Sequence, residues 1–192
     1  MTSNERWLIV GLGNPGPWFA GTRHNVGFSV VGHLAERAGA RFRMRGPRCR
    51  LAEIGVADRS VLLAKPLWTI NQSGPPVAGL MRSHAVPATR LLVVQDDLDF
   101  PFGVVRLKRA GGPGGHNGVR SVSDAVGTHD YLRLRFGVGR PVKGQKIGRF
   151  VLGRFTTTEA EQFPDLLERC VTAVDNLIEH GLDKAQTALH TR

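Results

Sequence analysis

His24 and the carboxylates Asp96, Asp97 and Asp99 are the side chains best suited to acid–base chemistry in this chain. An imidazole can take a proton from water near neutral pH. A carboxylate behind it holds the ring in one tautomer and steadies the cation that forms. No G-x-S-x-G elbow accompanies them, and neither cysteine is placed as a nucleophile. The chemistry left is attack by an activated water, with no metal and no cofactor. The clustered acids lack the calcium-loop spacing and its distal glutamate, which argues against a metal there. Asn14, Asn71 and Asn117 form a second set, each in a turn rich in Gly, Pro or Ser. Asparagine is common in turns for backbone reasons alone. Converging amides would be different, since each offers a donor and an acceptor without charge. They could grip peptide groups, or the ribose and base of an RNA 3′ end.

The elements that must position these residues can be read from patterning. Trp7-Leu8-Ile9-Val10 reads as a buried strand ending in the turn Gly11-Leu12-Gly13-Asn14-Pro15-Gly16. Gly11, Gly13 and Gly16 satisfy G-x-G-x-x-G, and Glu36 sits at the offset of a ribose-binding acid. That motif needs a helix starting inside the glycines. Pro15 and Pro17 oppose one here, so a dinucleotide site is disfavoured. The run over 91–94 is continuously apolar, hence a central strand buried on both faces, ending at Gln95-Asp96-Asp97. If it runs parallel to the first strand, the Asn14 turn and Asp96 lie at the same sheet edge, where open α/β sheets bind ligands.

The remaining pattern predicts helices over 26–38, 77–84 and 119–126, and a hairpin of 51–56 with 61–64. Strands are expected over 104–107 and 132–138, a glycine-rich lid over 111–118, and a basic loop over 143–149. A long helix carries Phe163, Leu166, Leu167, Cys170, Val174, Leu177 and Ile178 on one face. Gly181 stops it, and Asp183 can cap a short final helix. No repeat or linker interrupts residues 1–192. The expectation is one α/β domain, a mixed twisted sheet flanked by helices.

The chain carries a net charge of +10, with Arg41, Arg43, Arg45, Arg48 and Arg50 crowded together. Arginine forks suit phosphate oxygens, so a nucleic-acid partner is expected. No apolar run approaches the ~20 residues of a bilayer span. MTSNERW has no signal-peptide core, and the two cysteines lack metal-ligand spacing. A cytoplasmic protein with reduced thiols is expected.

Four stretches in order carry a resemblance. They are Gly-Leu-Gly-Asn-Pro-Gly followed by Thr-Arg-His-Asn-Val-Gly, Asn71-Gln72-Ser73-Gly74 after a Lys-Pro, Asp96-Asp97-Leu98-Asp99, and Gly-Gly-Pro-Gly-Gly-His-Asn-Gly. Together the chain resembles the bacterial peptidyl-tRNA hydrolase family over nearly its whole length. The resemblance implies hydrolysis of the ester joining a peptidyl group to the tRNA 3′ ribose, by a cytoplasmic monomer whose partner is peptidyl-tRNA. It selects Asp96 as the carboxylate behind His24, and it gives Asn14 the sensing of an N-blocked amino acid. Asn71 and Asn117 would contact substrate, and Lys108 and Arg135 would clamp the tRNA 5′-phosphate. Phe19 stands where the family usually has tyrosine. Thr69-Ile70 replaces an aromatic–methionine pair beside the substrate, and Gln95 replaces a histidine. These changes bear on substrate affinity more than on catalysis. The alternative the resemblance allows is a non-catalytic RNA-binding protein on the same fold, as in intron-splicing relatives.

Overall fold

A computed structural model describes residues 6–45 and 48–190. The first strand, β1 (Trp7–Gly11), is buried at every position. Helix α1 (Val26–Arg37) follows, then β2 (Arg43–Arg45), β3 (Cys49–Val56) and β4 (Arg59–Pro66). Helix α2 (Gly74–Ser83) leads to β5 (Leu91–Asp97) and β6 (Val105–Arg109). Helix α3 (Asn117–Val126), β7 (Leu132–Gly137), α4 (Ile147–Val151), α5 (Thr157–His180) and α6 (Leu182–His190) complete the chain.

One seven-stranded sheet runs in the order β2-β3-β4-β1-β5-β7-β6. Its centre is parallel: β1 pairs with β4 and β5, and β5 with β7. The pairs β2–β3, β3–β4 and β6–β7 are antiparallel, so the sheet is mixed, as the pattern predicts. Alternate residues of the central strands feed two cores. Ile9, Leu92 and Val94 pack with α1, α5 and α6, while Leu8, Val10 and Val93 pack with α2 and α3. That two-sided burial is why both strands read as unbroken apolar runs. Cys49 and Cys170 are free and buried in different cores, and burial pushes their thiols up to about 11 and about 12.

From β1 the chain crosses to β4 on one side, and from β5 it continues to β7 on the other. The ends of β1 and β5 therefore form a topological switch point, where α/β sheets open a crevice. Two glycines close it tightly. A β carbon on Gly11 would overlap the Gly27 carbonyl oxygen, and one on Gly27 would overlap the Val94 carbonyl oxygen. Only bare backbone lets the first turn of α1 press against the ends of both strands.

Several boundaries differ from the pattern. Strand β5 includes Gln95, Asp96 and Asp97, so these two acids lie on the strand instead of beyond it, and Asp99 follows in the turn. Helix α2 starts at Gly74, because Pro75 and Pro76 fit a first turn that needs no amide hydrogens. The basic stretch over 143–149 is not all loop, since α4 begins at Ile147. Helix α5 starts ahead of its apolar face, at a capping box of Thr156 and Glu159. The arginine-rich segment contributes the exposed edge strand β2, and Gly46 and Pro47 lie outside the described residues.

Candidate active site

His24 sits in a short 3₁₀ turn, Arg23–Asn25, just before α1. Both neighbours fix it. The buried Arg23 guanidinium donates to the Arg154 carbonyl and to Glu159 Oε2 (2.5 Å), and lies 4.6 Å from the Phe150 ring centre. Asn25 makes a reciprocal pair with the Asn14 backbone: the Asn14 amide donates to Asn25 Oδ1 (2.8 Å), and Asn25 Nδ2 donates to the Asn14 carbonyl (2.9 Å). His24 and Asn14 are thereby locked to one another through sequence neighbours.

Asp96 reaches out from the end of β5 and is 3% exposed. Its Oδ1 meets two imidazoles, His24 Nδ1 at 2.8 Å and His116 Nε2 at 3.0 Å. The second contact assigns the protons by its hydrogen-bond pattern. His116 is the N-cap of α3, and its Nδ1 accepts from the Val119 amide at 3.3 Å. An accepting Nδ1 leaves the proton on Nε2, which donates to Asp96. Asp96 is then an acceptor toward both rings, and His24 presents Nδ1–H to it. His24 Nε2 keeps its lone pair and has no bonding partner among the described residues. Burial alone would raise the Asp96 carboxyl, but the two imidazoles outweigh it and hold the group well below the usual carboxylate range.

These side chains open on a cleft of about 500 Å³, with Asn14, Asn71 and Asn117 all on its wall. The amides do converge. Asn14 Oδ1 accepts from the Ile70 amide at 2.9 Å, so its NH₂ group is what remains to offer a ligand. Helix α4 and the residue that caps its end add the exposed apolar side chains Ile147 and Leu152 to the rim. His24, Asp96 and His116 are also the described residues whose donor atoms come close enough to share a metal ion. A metal would have to displace both ring protons directed at Asp96.

A base with a bare Nε2, a buried carboxylate behind it and three amides across a cleft suit hydrolysis of a carbonyl compound. The peptidyl-tRNA hydrolase family model matches residues 8–192. The chain belongs to that family. It is 50% identical over 189 residues to the peptidyl-tRNA hydrolase of Frankia casuarinae, covering 98% of this chain and 96% of that one. Identity to the Nocardia farcinica peptidyl-tRNA hydrolase is 50% over 184 residues, with 95% of each covered. The crystal structure of peptidyl-tRNA hydrolase from Acinetobacter baumannii superposes with a TM-score of 0.91 at 30% identity, covering 98% of this chain and 96% of that one.

Other residues that the family resemblance singles out are placed less simply. Thr69 lines the cleft and its hydroxyl meets Gln72 Oε1 at 3.4 Å. Phe19 is half-buried in the turn Pro17–Phe19 and is not on the wall of this cleft. Lys108 and Arg135 lie outside it too, on β6 and β7. Pairing of Arg106 with Arg135 and of Lys108 with Arg133 puts all four on one sheet face. Arg135 is already engaged: its Nε donates to Asp97 Oδ2 at 2.6 Å, and its guanidinium lies 4.6 Å from the Phe100 ring centre. Arg133 is buried and ties down the carbonyls of Ala110, Gly111 and Gly112. The glycine-rich lid is therefore anchored at its base.

The glycine turn does not open a helix. A 3₁₀ turn at Pro17–Phe19 follows it and α1 waits until Val26, which removes the dinucleotide geometry. Glu36 pairs loosely with His33 at 4.0 Å. Gln95, where the family usually has histidine, is buried with an unpartnered Oε1. His116 falls inside the stretch over 111–118 that the sequence pattern reads only as a glycine-rich lid. Its place immediately before an apolar helical run, where a capping side chain belongs, is the available signal.

Proposed function

We propose that the chain cleaves the ester between an N-blocked aminoacyl or peptidyl group and the 3′-terminal ribose of tRNA, with His24 as general base. The observation that carries this reading is the single Asp96 oxygen shared by His24 Nδ1 and His116 Nε2, which leaves His24 Nε2 bare toward the cleft. Water gives a proton to Nε2 as its oxygen bonds to the ester carbonyl carbon. Asp96 stays ionised and steadies the imidazolium. The tetrahedral intermediate collapses, the carbonyl carbon–ribose oxygen bond breaks, and His24 returns its proton to the ribose oxygen. The Asn14 amide group, with Asn71 and Asn117 beside it, holds the acyl group and stabilises the developing oxyanion. Preorganised donors of this kind are typically worth ~10²–10³ in rate.

Asn14 also explains selectivity for blocked amines. Its oxygen is engaged by Ile70, so it presents a donor, which suits a peptide carbonyl and repels a free ammonium. Phe19, Thr69, Lys108 and Arg135 act in this reading as contacts to the RNA outside the reacting centre. The protein works as a one-domain monomer in the cytoplasm. The shared sheet beneath both cores supports one domain, and no helix among the described residues is long and apolar enough to cross a membrane.

A non-catalytic RNA-binding role lacks support, since the relatives matched over nearly the whole chain are named hydrolases. The test is incubation with N-acetyl-aminoacyl-tRNA and, separately, with the unblocked aminoacyl-tRNA. Release of the acetylated amino acid with sparing of the free one is expected. Tight RNA binding without release would overturn the hydrolytic reading.

A further inference from the structure

Across the Asn14 turn from His24 lies a second cleft, of about 630 Å³, with Asn14 and Asn25 also on its wall. Its cations are Lys65 on β4 and Arg50 on β3, directly opposite one another in the antiparallel ladder. Like charges facing each other across two strands are destabilising. Neither has an acidic partner among the described residues. The Lys65 ammonium lies 4.5 Å from the Phe42 ring centre and 5.7 Å from that of Phe28, over Gly32. Burial, with Arg50 adding to it, lowers Lys65 to about 8. The acids nearby turn to His33, Glu168 at 3.1 Å and Glu36 only loosely at 4.0 Å. Two desolvated or opposed cations in an open cleft are what an incoming anion would relieve.

The rest of the cleft is apolar. Phe28, Leu67, Pro15 and Pro17 line it, and Trp18, on the same turn, is 86% exposed. Cations interleaved with accessible aromatic faces suit single-stranded nucleic acid, whose phosphates and bases alternate. An N-blocked peptide has a neutral backbone and offers the pair of cations nothing fixed. We propose that the Lys65–Arg50 cleft binds phosphodiester groups of the single-stranded 3′ end of the RNA substrate. The proposal rests on the tRNA-ester reading above.

The probes are an uncleavable acetyl-aminoacyl-tRNA analogue and the same RNA with neutral methylphosphonates at the linkages of its 3′ single strand. Affinity is measured against salt for wild type, Lys65→Met, Lys65→Arg and Arg50→Met. On the native strand, Lys65→Met and Arg50→Met should each weaken binding about tenfold, as expected for a lost charge-assisted contact. Each should flatten the log–log salt slope by ~0.7, the value per phosphate of a single strand. Lys65→Arg should retain most of the affinity. On the neutral strand both losses should vanish. Equal losses on the two RNAs, or none on either, would overturn the proposal. So would loss of affinity for free N-acetylated peptide in Lys65→Met, which would make the cleft a peptide channel. Because Arg50 is exposed, Arg50→Met keeps the test valid if Lys65→Met folds poorly. The probe is never cleaved, so a failed hydrolysis assay and a failed phosphate contact remain separate results.

Discussion

In the cleft around His24 every charged side chain meets an opposite or hydrogen-bonding partner. Asp96 serves His24 and His116, Asp97 takes Arg135, and Asp99 takes Arg140 at 2.5 Å. On the far side of Asn14, Lys65 and Arg50 face each other, and neither has an acidic partner among the described residues. The first arrangement fixes ring orientation and proton position before substrate arrives, which is what catalysis needs. The second leaves charge unsatisfied, which is what binding an anion needs. Positive charge counted along a chain is thus not charge available to a ligand. Arg133 is spent on the lid carbonyls and Arg135 shares its fork with Asp97, whereas Lys65 has no acidic partner among the described residues.

The sharpest way to break this contrast is His24→Ala. General-base assistance is worth ~10²–10⁴ in rate, so single-turnover hydrolysis of acetyl-aminoacyl-tRNA should fall by about that factor. RNA affinity, measured in parallel, should barely change. Equal losses in both would make His24 a substrate contact. Asn14→Asp comes next. Its new carboxylate would still accept from Ile70 and would turn its second oxygen to the cleft, where a free ammonium can pair. The preference for acetylated over free aminoacyl-tRNA should drop by about tenfold, the scale of one charge-assisted contact. An unchanged ratio of rates would remove Asn14 from that role.

Smaller effects separate the two histidines on stability. His116 caps α3 and His24 caps nothing. His116→Ala should lower unfolding free energy by ~1 kcal/mol, the usual loss for a removed N-cap. His24→Ala should cost less in the same urea titration. The smallest effect belongs to Lys65, whose cleft is also lined by Arg50, His33 and Glu36. Its folded value, about 8, lies below the ordinary 10.5, so the unfolded chain holds more protons between the two. Stability should therefore rise with pH through that interval, and the rise should shrink in Lys65→Met. Parallel curves for wild type and variant would show that Lys65 is not desolvated.

Much of this was readable from residue order. The unbroken apolar runs of β1 and β5 marked the buried centre, and the glycine turn and the acids marked its edge. The asparagines do converge on one cleft, and parallel pairing of β1 with β5 sets His24 against Asp96. What stayed hidden depends on partners distant in sequence. His116 reads as a loop histidine until α3 makes it a cap and folds it onto Asp96. Arg133 and Arg135 read as two exposed cations until the lid carbonyls tie down the first and Asp97 takes the Nε of the second. Lys65 opposes Arg50 only once the hairpin register is known. The basic stretch before α4 gave no helical period, because five residues are too few to display one.

The central claim is that one Asp96 oxygen sets the protons on both rings, leaving His24 Nε2 free to act. Nitrogen-15 NMR of the imidazoles, in protein without substrate and at a pH where the rings are neutral, reads those protons directly. His24 should appear with its hydrogen on Nδ1 and a bare Nε2, and His116 with its hydrogen on Nε2 and a bare Nδ1. A His24 ring protonated on Nε2, with Nδ1 bare toward Asp96, would contradict the account, because the base would have no lone pair for water.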